Sequence, residues 1–132
     1  MLGAEKTRVT RVRERLQSAR ELLGQGRTGE AERLVEDVLR NCAGLPEEDL
    51  ACSCGLSARL LALRGERERA GLLAEIAVRL AHSGTPRPCQ ADALLDQAYT
   101  LRTLGDREEA DACLRAARAL SPRPAPAAAL TW

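Results

Sequence analysis

The chain contains no phenylalanine, and its 132 residues include one tyrosine, one tryptophan, one methionine and one histidine. Each scarcity rules something out. Single-stranded nucleic acid is commonly held by stacking bases on aromatic side chains, and this chain has almost none to offer. β-Branched and aromatic residues are too sparse, and apolar–polar alternation too rare, to build a sheet. The only histidine, His82, falls at an expected helix end, where it faces the helix dipole or solvent, and no spacing of acidic residues singles out a catalytic pair. The sequence therefore predicts no enzyme. No apolar run approaches the length of a membrane span, and residues 1–20 lack the apolar centre of a signal peptide, so a cytoplasmic protein is expected. Five cysteines at irregular spacings do not form the even-numbered framework of a secreted disulfide protein; reduced thiols fit better.

Neither sign of charge prevails. Twenty basic residues face 19 acidic ones, a net charge of +1, which argues against holding nucleic acid or an anionic membrane by bulk electrostatics. The start of the chain departs from this balance: Lys6, Arg8, Arg11, Arg13, Arg15 and Arg20 are offset there only by Glu5 and Glu14. A solvated helix face explains them, and a nucleic-acid contact through this basic first helix is the alternative function.

What the chain has is alanine, leucine and a repeat. Gly26, Gly65 and Gly105 stand 39 and 40 residues apart, each followed five residues later by an alanine, Ala31, Ala70 or Ala110. Seven before each glycine is Ala19, Ala58 or Ala98, and four before it Leu22, Leu61 or Leu101. Nine and twelve after it come Val35 and Val38, Ala74 and Ala77, and Leu114 and Ala117. This is the pattern of a helix hairpin used three times, with glycine ending each first helix in the left-handed conformation that side chains with a β-carbon resist. Thr28 and Asp106 are expected to cap second helices, Asp106 with Glu109 as a capping box. The paired alanines let two helices approach, while leucine and valine form the buried stripe. Between hairpins lie NCAGLPEED and HSGTPRPCQ, where Pro46 suits a first helical position followed by Glu47, Glu48 and Asp49. The expected fold is all-α, three stacked antiparallel hairpins over residues 1–122 (repeats about 12–44, 50–84 and 90–122), followed by a Pro/Ala-rich disordered tail over 123–132.

The glycine, the small residue seven before it, the alanine five after it and Pro122 closing the last hairpin resemble a tetratricopeptide repeat. The resemblance covers about residues 12–122. The large aromatics of that family are missing, and the spacing exceeds its standard of about 34 residues, as in its longer-repeat branch. It implies a short right-handed superhelix that binds a peptide or helix on its concave face, as an adaptor, scaffold or regulatory module of signalling, without cofactor or metal. It also places the lining side chains on the first helix of each hairpin. Six before each glycine are Arg20, Arg59 and Tyr99; nine before are Gln17, Leu56 and Asp96; Arg13 and Arg102 extend the row. Such a groove, rich in arginine, suits an acidic segment or a free C-terminus. If these arginines face solvent, reversing Arg20 and Arg59 to glutamate leaves stability nearly unchanged.

Other motifs carry less. Gly24, Gly26 and Gly29 spell GxGxxG, but a dinucleotide loop needs a strand before it, and here a helix precedes. Cys52 and Cys54 point about 200° apart on a helix and cannot ligate one ion together, and His82 with Cys89 completes no recognisable set, so no metal is expected. Val9, Val12, Leu16, Ala19 and Leu23 form an apolar seam too short for a coiled coil, read as the outer wall of the first repeat. A homodimer through this face or through the last helix is the other association the sequence allows.

Overall fold

The computed structural model describes residues 2–120, the side chains of Leu2, Ala4, Glu5 and Lys6 excepted; Pro122 and the tail over 123–132 lie outside the described residues. The described chain is wholly helical: α1 (Leu2–Gly24), α2 (Thr28–Arg40), α3 (Glu47–Leu63), α4 (Arg67–His82), α5 (Arg87–Thr103) and α6 (Arg107–Leu120). The helices pack as three hairpins, α1 on α2, α3 on α4 and α5 on α6.

One closing device makes all three hairpins. Gly26, Gly65 and Gly105 have φ of 78°, 79° and 90°, a region open to glycine at little cost. Their amides donate to Leu23, Ala62 and Arg102, at 3.1, 3.0 and 3.0 Å. The next amide reaches one residue further back, from Arg27 to Leu22, Glu66 to Leu61 and Asp106 to Leu101, at 2.9, 3.0 and 2.8 Å. That pair of bonds is the Schellman motif, and the leucine four before each glycine is the residue whose carbonyl takes the longer bond. The second helices begin less as expected. Thr28 is the first residue of α2, preceded by Arg27, with no side-chain cap. Pro46 precedes α3 and is not its first residue.

Close approach follows from the alanines. Ala19, Ala31, Ala58, Ala70, Ala98 and Ala110 are all 0% exposed, so the two helices of every hairpin meet over side chains of one carbon. The stripe positions Val35, Val38, Ala74, Ala77, Leu114 and Ala117 are buried as well, whereas Leu22 and Leu101 are only half-buried. The seam Val12, Leu16, Ala19 and Leu23 of α1 joins Val35 and Val38 of α2 and Leu56 and Leu60 of α3 in one apolar cluster.

Stacking of the hairpins is uneven. α3 packs on α5, α4 on α5, α2 on α3 and α1 on α3, whereas α2, α4 and α6 make no close backbone approach to one another among the described residues. The first helices thus form the continuous side of the stack. α1 meets α3 over a much shorter stretch than α3 meets α5, and no backbone contact joins α1 to α5. Ala70→Leu or Ala110→Leu should force three extra carbons into a filled contact and destabilise the fold by about 1–3 kcal/mol. Urea denaturation followed by circular dichroism measures this, and an unchanged midpoint for both variants refutes the assigned register.

Candidate functional site

The continuous side made by α1, α3 and α5 carries the residues named from sequence, and charge organises it. Asp96 of α5 is 1% exposed, yet it is fully partnered. Arg20 of α1 grips it with both nitrogens, Nη1 to Oδ1 at 2.7 Å and Nη2 to Oδ2 at 2.9 Å, although the residues are 76 positions apart. Arg59 of α3 donates to Oδ1 at 3.4 Å and lies over the Tyr99 ring, 4.3 Å from its centroid. One carboxylate therefore ties all three first helices together.

Gly55 makes the crossing possible. A β-carbon there would lie 2.5 Å from Asp96 Oδ2 and 3.0 Å from Asp96 Cβ, closer than real β-carbons approach. Without that notch in α3, the carboxylate of α5 does not fit where the guanidinium from α1 meets it. Burial opposes the charge on Arg20, but the attraction and hydrogen bonds of Asp96 outweigh it and raise the Arg20 pKa.

A second pairing lies towards the start of α3. Arg13 donates from Nε to Asp49 Oδ1 at 3.0 Å and from Nη2 to Glu48. Asp49 is buried, while Arg13 and Glu48 remain substantially exposed. A cleft of about 420 Å³ lies between the two ion-pair centres, lined by Arg13, Glu48, Asp49, Cys52, Asp92 and Asp96, with Pro86, Pro88, Cys89 and Ala93 as its apolar wall. Asp92 is exposed and makes no hydrogen bond or ion pair among the described residues.

Two of the expected lining residues are not exposed. Leu56 is 0% exposed and belongs to the core shared with α1 and α2, and Asp96 is buried in its ion pair. Both stand nine before a turn glycine, the position that faces the preceding hairpin; Gln17, with no hairpin before it, is exposed. The premise of solvent-facing arginines also fails for Arg20 and Arg59, which are held by Asp96 with side chains 27% and 14% exposed. Reversing them would set carboxylates against a buried carboxylate, so stability is not spared. Tyr99 and Arg102 are half-buried on α5 and each has an interaction of its own.

The basic start of the chain is partly spent on the fold. Arg8, Arg11 and Arg15 line a hollow of about 540 Å³ with Thr7 and Asn41. Arg8 donates to the carbonyls of Asn41 and Ala43 at 2.6 and 2.7 Å, tying α1 to the end of α2, and Arg15 pairs with Asp37 at 2.6 Å. All five cysteines are free, and burial pushes the thiols of Cys52, Cys54, Cys89 and Cys113 up. Among the described residues no three His, Cys, Asp or Glu side chains are grouped to hold a metal ion, and no helix is long and apolar enough to cross a membrane.

The sequence reading put its candidate residues on the first helices and did not single out Gly55 or Asp49. Gly55 had a signal, a glycine inside a helical pattern, which often marks a close approach. Compared with protein-family models, with curated proteins and with solved structures, the chain matches none.

Removing Arg20 leaves a buried carboxylate with its weaker partner alone. Arg20→Met should therefore cost about 3–5 kcal/mol, towards the lower end because Arg59 remains. Adding Asp96→Leu to Arg20→Met should recover much of that loss, since no charge is then left buried. Equal and additive losses in urea denaturation would show that the two side chains do not act as a pair.

Proposed function

We propose that this chain is a protein-interaction module that binds a peptide or helix along the face of α1, α3 and α5. The observation that carries the proposal is the packing of α1 on α3 and α3 on α5 into one side with a cleft in it, while the second helices make no close backbone approach to one another among the described residues. The hairpin closures and buried alanines support reading the stack as a short tetratricopeptide-like superhelix, with this side as the inner one. Repeat stacks of this kind present extended binding surfaces.

The ion pairs modify the ligand that the sequence suggests. A purely acidic segment would have to take Arg20 and Arg59 from a buried Asp96, and the loss of that pairing outweighs a contact at the rim. Arg13 is different: its Nε can stay with the buried Asp49, while the Nη2 bond to the exposed Glu48 is of the kind that contributes only about 0–1 kcal/mol and yields to a ligand carboxylate. Asp92, beside it and unpaired, attracts a cation. The proposed ligand is thus a segment of mixed charge, with a carboxylate for Arg13 and a basic side chain for Asp92.

Capture from lysate with the immobilised chain, repeated with Asp92→Lys, tests both statements. The variant should lose at least about tenfold in affinity for the captured protein, roughly 1.4 kcal/mol. Its own stability should change by less than about 0.5 kcal/mol, because Asp92 is an exposed side chain. Hydrogen exchange of the complex should show protection on α1, α3 and α5. Protection confined to α2, α4 and α6, or full affinity in the variant, overturns the assignment. Retention on heparin beyond low salt would favour instead the nucleic-acid contact through the basic first helix.

A further inference from the structure

Cys52 of α3 and Cys89 of α5 open onto the same cleft, with Asp92 near both and Ala93, Pro86 and Pro88 as the apolar lining. The Cys89 sulfur lies 3.9 Å from the carbonyl oxygen of Glu48. In an α-helix that carbonyl accepts the amide of the residue four ahead, which is Cys52. The sulfur of Cys89 therefore already rests against the helical turn that carries Cys52. Cys52 has a second relevant neighbour, because Arg20 Nη2 donates to its sulfur at 3.5 Å, and a guanidinium beside a thiol stabilises the thiolate.

We propose that Cys52 and Cys89 are a redox pair, forming a reversible disulfide between α3 and α5 across the cleft of the first-helix face. A disulfide needs its β-carbons about 3.5–4.5 Å apart, so the link requires rotation of both side chains and whatever movement of the first turn of α5 brings them to that separation. The oxidant is a low-molecular-weight disulfide. Cys89 loses its proton to solvent, and its thiolate attacks one sulfur of the small disulfide, which releases one small thiol and leaves a mixed disulfide on Cys89. Cys52 next loses its own proton to solvent, and its thiolate, beside the Arg20 guanidinium, attacks the Cys89 sulfur and expels the second small thiolate; the two departing thiolates take up the two protons released. Two protein thiols are oxidised and one small disulfide is reduced to two thiols, so electrons and protons balance. Burial pushes both protein thiols up, which slows the exchange without changing its product. Cys54 is no substitute for Cys52, because two residues on it points about 200° away around the helix.

The link forms or fails to form whatever the face binds, so its test is separate from that of the peptide-binding reading. The full chain carrying Cys54→Ser, which leaves Cys52 as the only cysteine in its stretch of α3, is incubated with glutathione disulfide, alkylated and digested without reductant. Mass spectrometry should find intact protein lighter by two hydrogens and a linked pair of peptides containing Cys52 and Cys89, both reversed by dithiothreitol. Adding Cys52→Ser should abolish the link and leave glutathione on Cys89. Absence of any intramolecular link in chain that circular dichroism shows to be folded, or a link that joins Cys42 or Cys113 instead, overturns the proposal.

Discussion

Helices in this molecule are held close because the residues between them are small. With no phenylalanine and a core made largely of alanine, each hairpin can bury area only by bringing backbones together, and the six alanines at 0% exposure mark where it does so. The turn glycines serve the same end. A Schellman closure folds each second helix back within three residues, so the alanine seven before the glycine and the alanine five after it fall at the hairpin contact. Between hairpins the same economy recurs once, at Gly55, where α5 approaches α3 so nearly that a single β-carbon would collide with Asp96.

Closeness of this kind changes how charge is used. A stack with large side chains between helices keeps carboxylates at its margins, whereas here a buried Asp96 reaches over a glycine to an arginine two hairpins away in the chain. The cost of desolvating it is offset by two well-directed bonds from Arg20 and a third, longer one from Arg59. Replacement of such a centre by apolar side chains can be neutral for stability, so its contribution lies in selecting one arrangement of the hairpins over others. That matters most for the first hairpin. α1 touches α3 over a short stretch and has no backbone contact with α5, and the Arg20 bond fixes its position against the third hairpin.

The hairpins were legible in the sequence because each rests on local, repeated chemistry: glycine for a left-handed turn and alanine for contact on either side of it. The expected placements of Ala19 to Ala117 held for that reason. Start signals were less legible. Thr28 falls inside α2 and not before it, since a threonine can serve a first turn as well as a cap and periodicity alone does not choose. The face was legible only in part. The position nine before the glycine was expected to line a groove, but in α3 and α5 it points to the preceding hairpin, and only Gln17, with nothing before it, is exposed. Arginine pairing was not legible at all, because Arg20 and Asp96 share no spacing that local rules relate; their meeting depends on how two hairpins stack on a third.

This dependence also explains why the first-helix face has two characters. Where helices converge on Asp96, side chains are buried and mutually satisfied, and there is little free charge for a ligand to use. Towards the starts of α3 and α5 the cleft opens, lined by Pro86, Pro88 and the exposed ends of Arg13 and Glu48. The joins before α3 and α5 each end in a proline with extended ψ, 149° at Pro46 and 153° at Pro86, and Pro86 is part of the cleft wall. Rigidity is thus concentrated at Gly55 and Asp96, and accessible polar chemistry lies within about two helical turns of it. A fixed frame beside an open rim is the arrangement in which a ligand can gain from contacts without the fold having to reorganise.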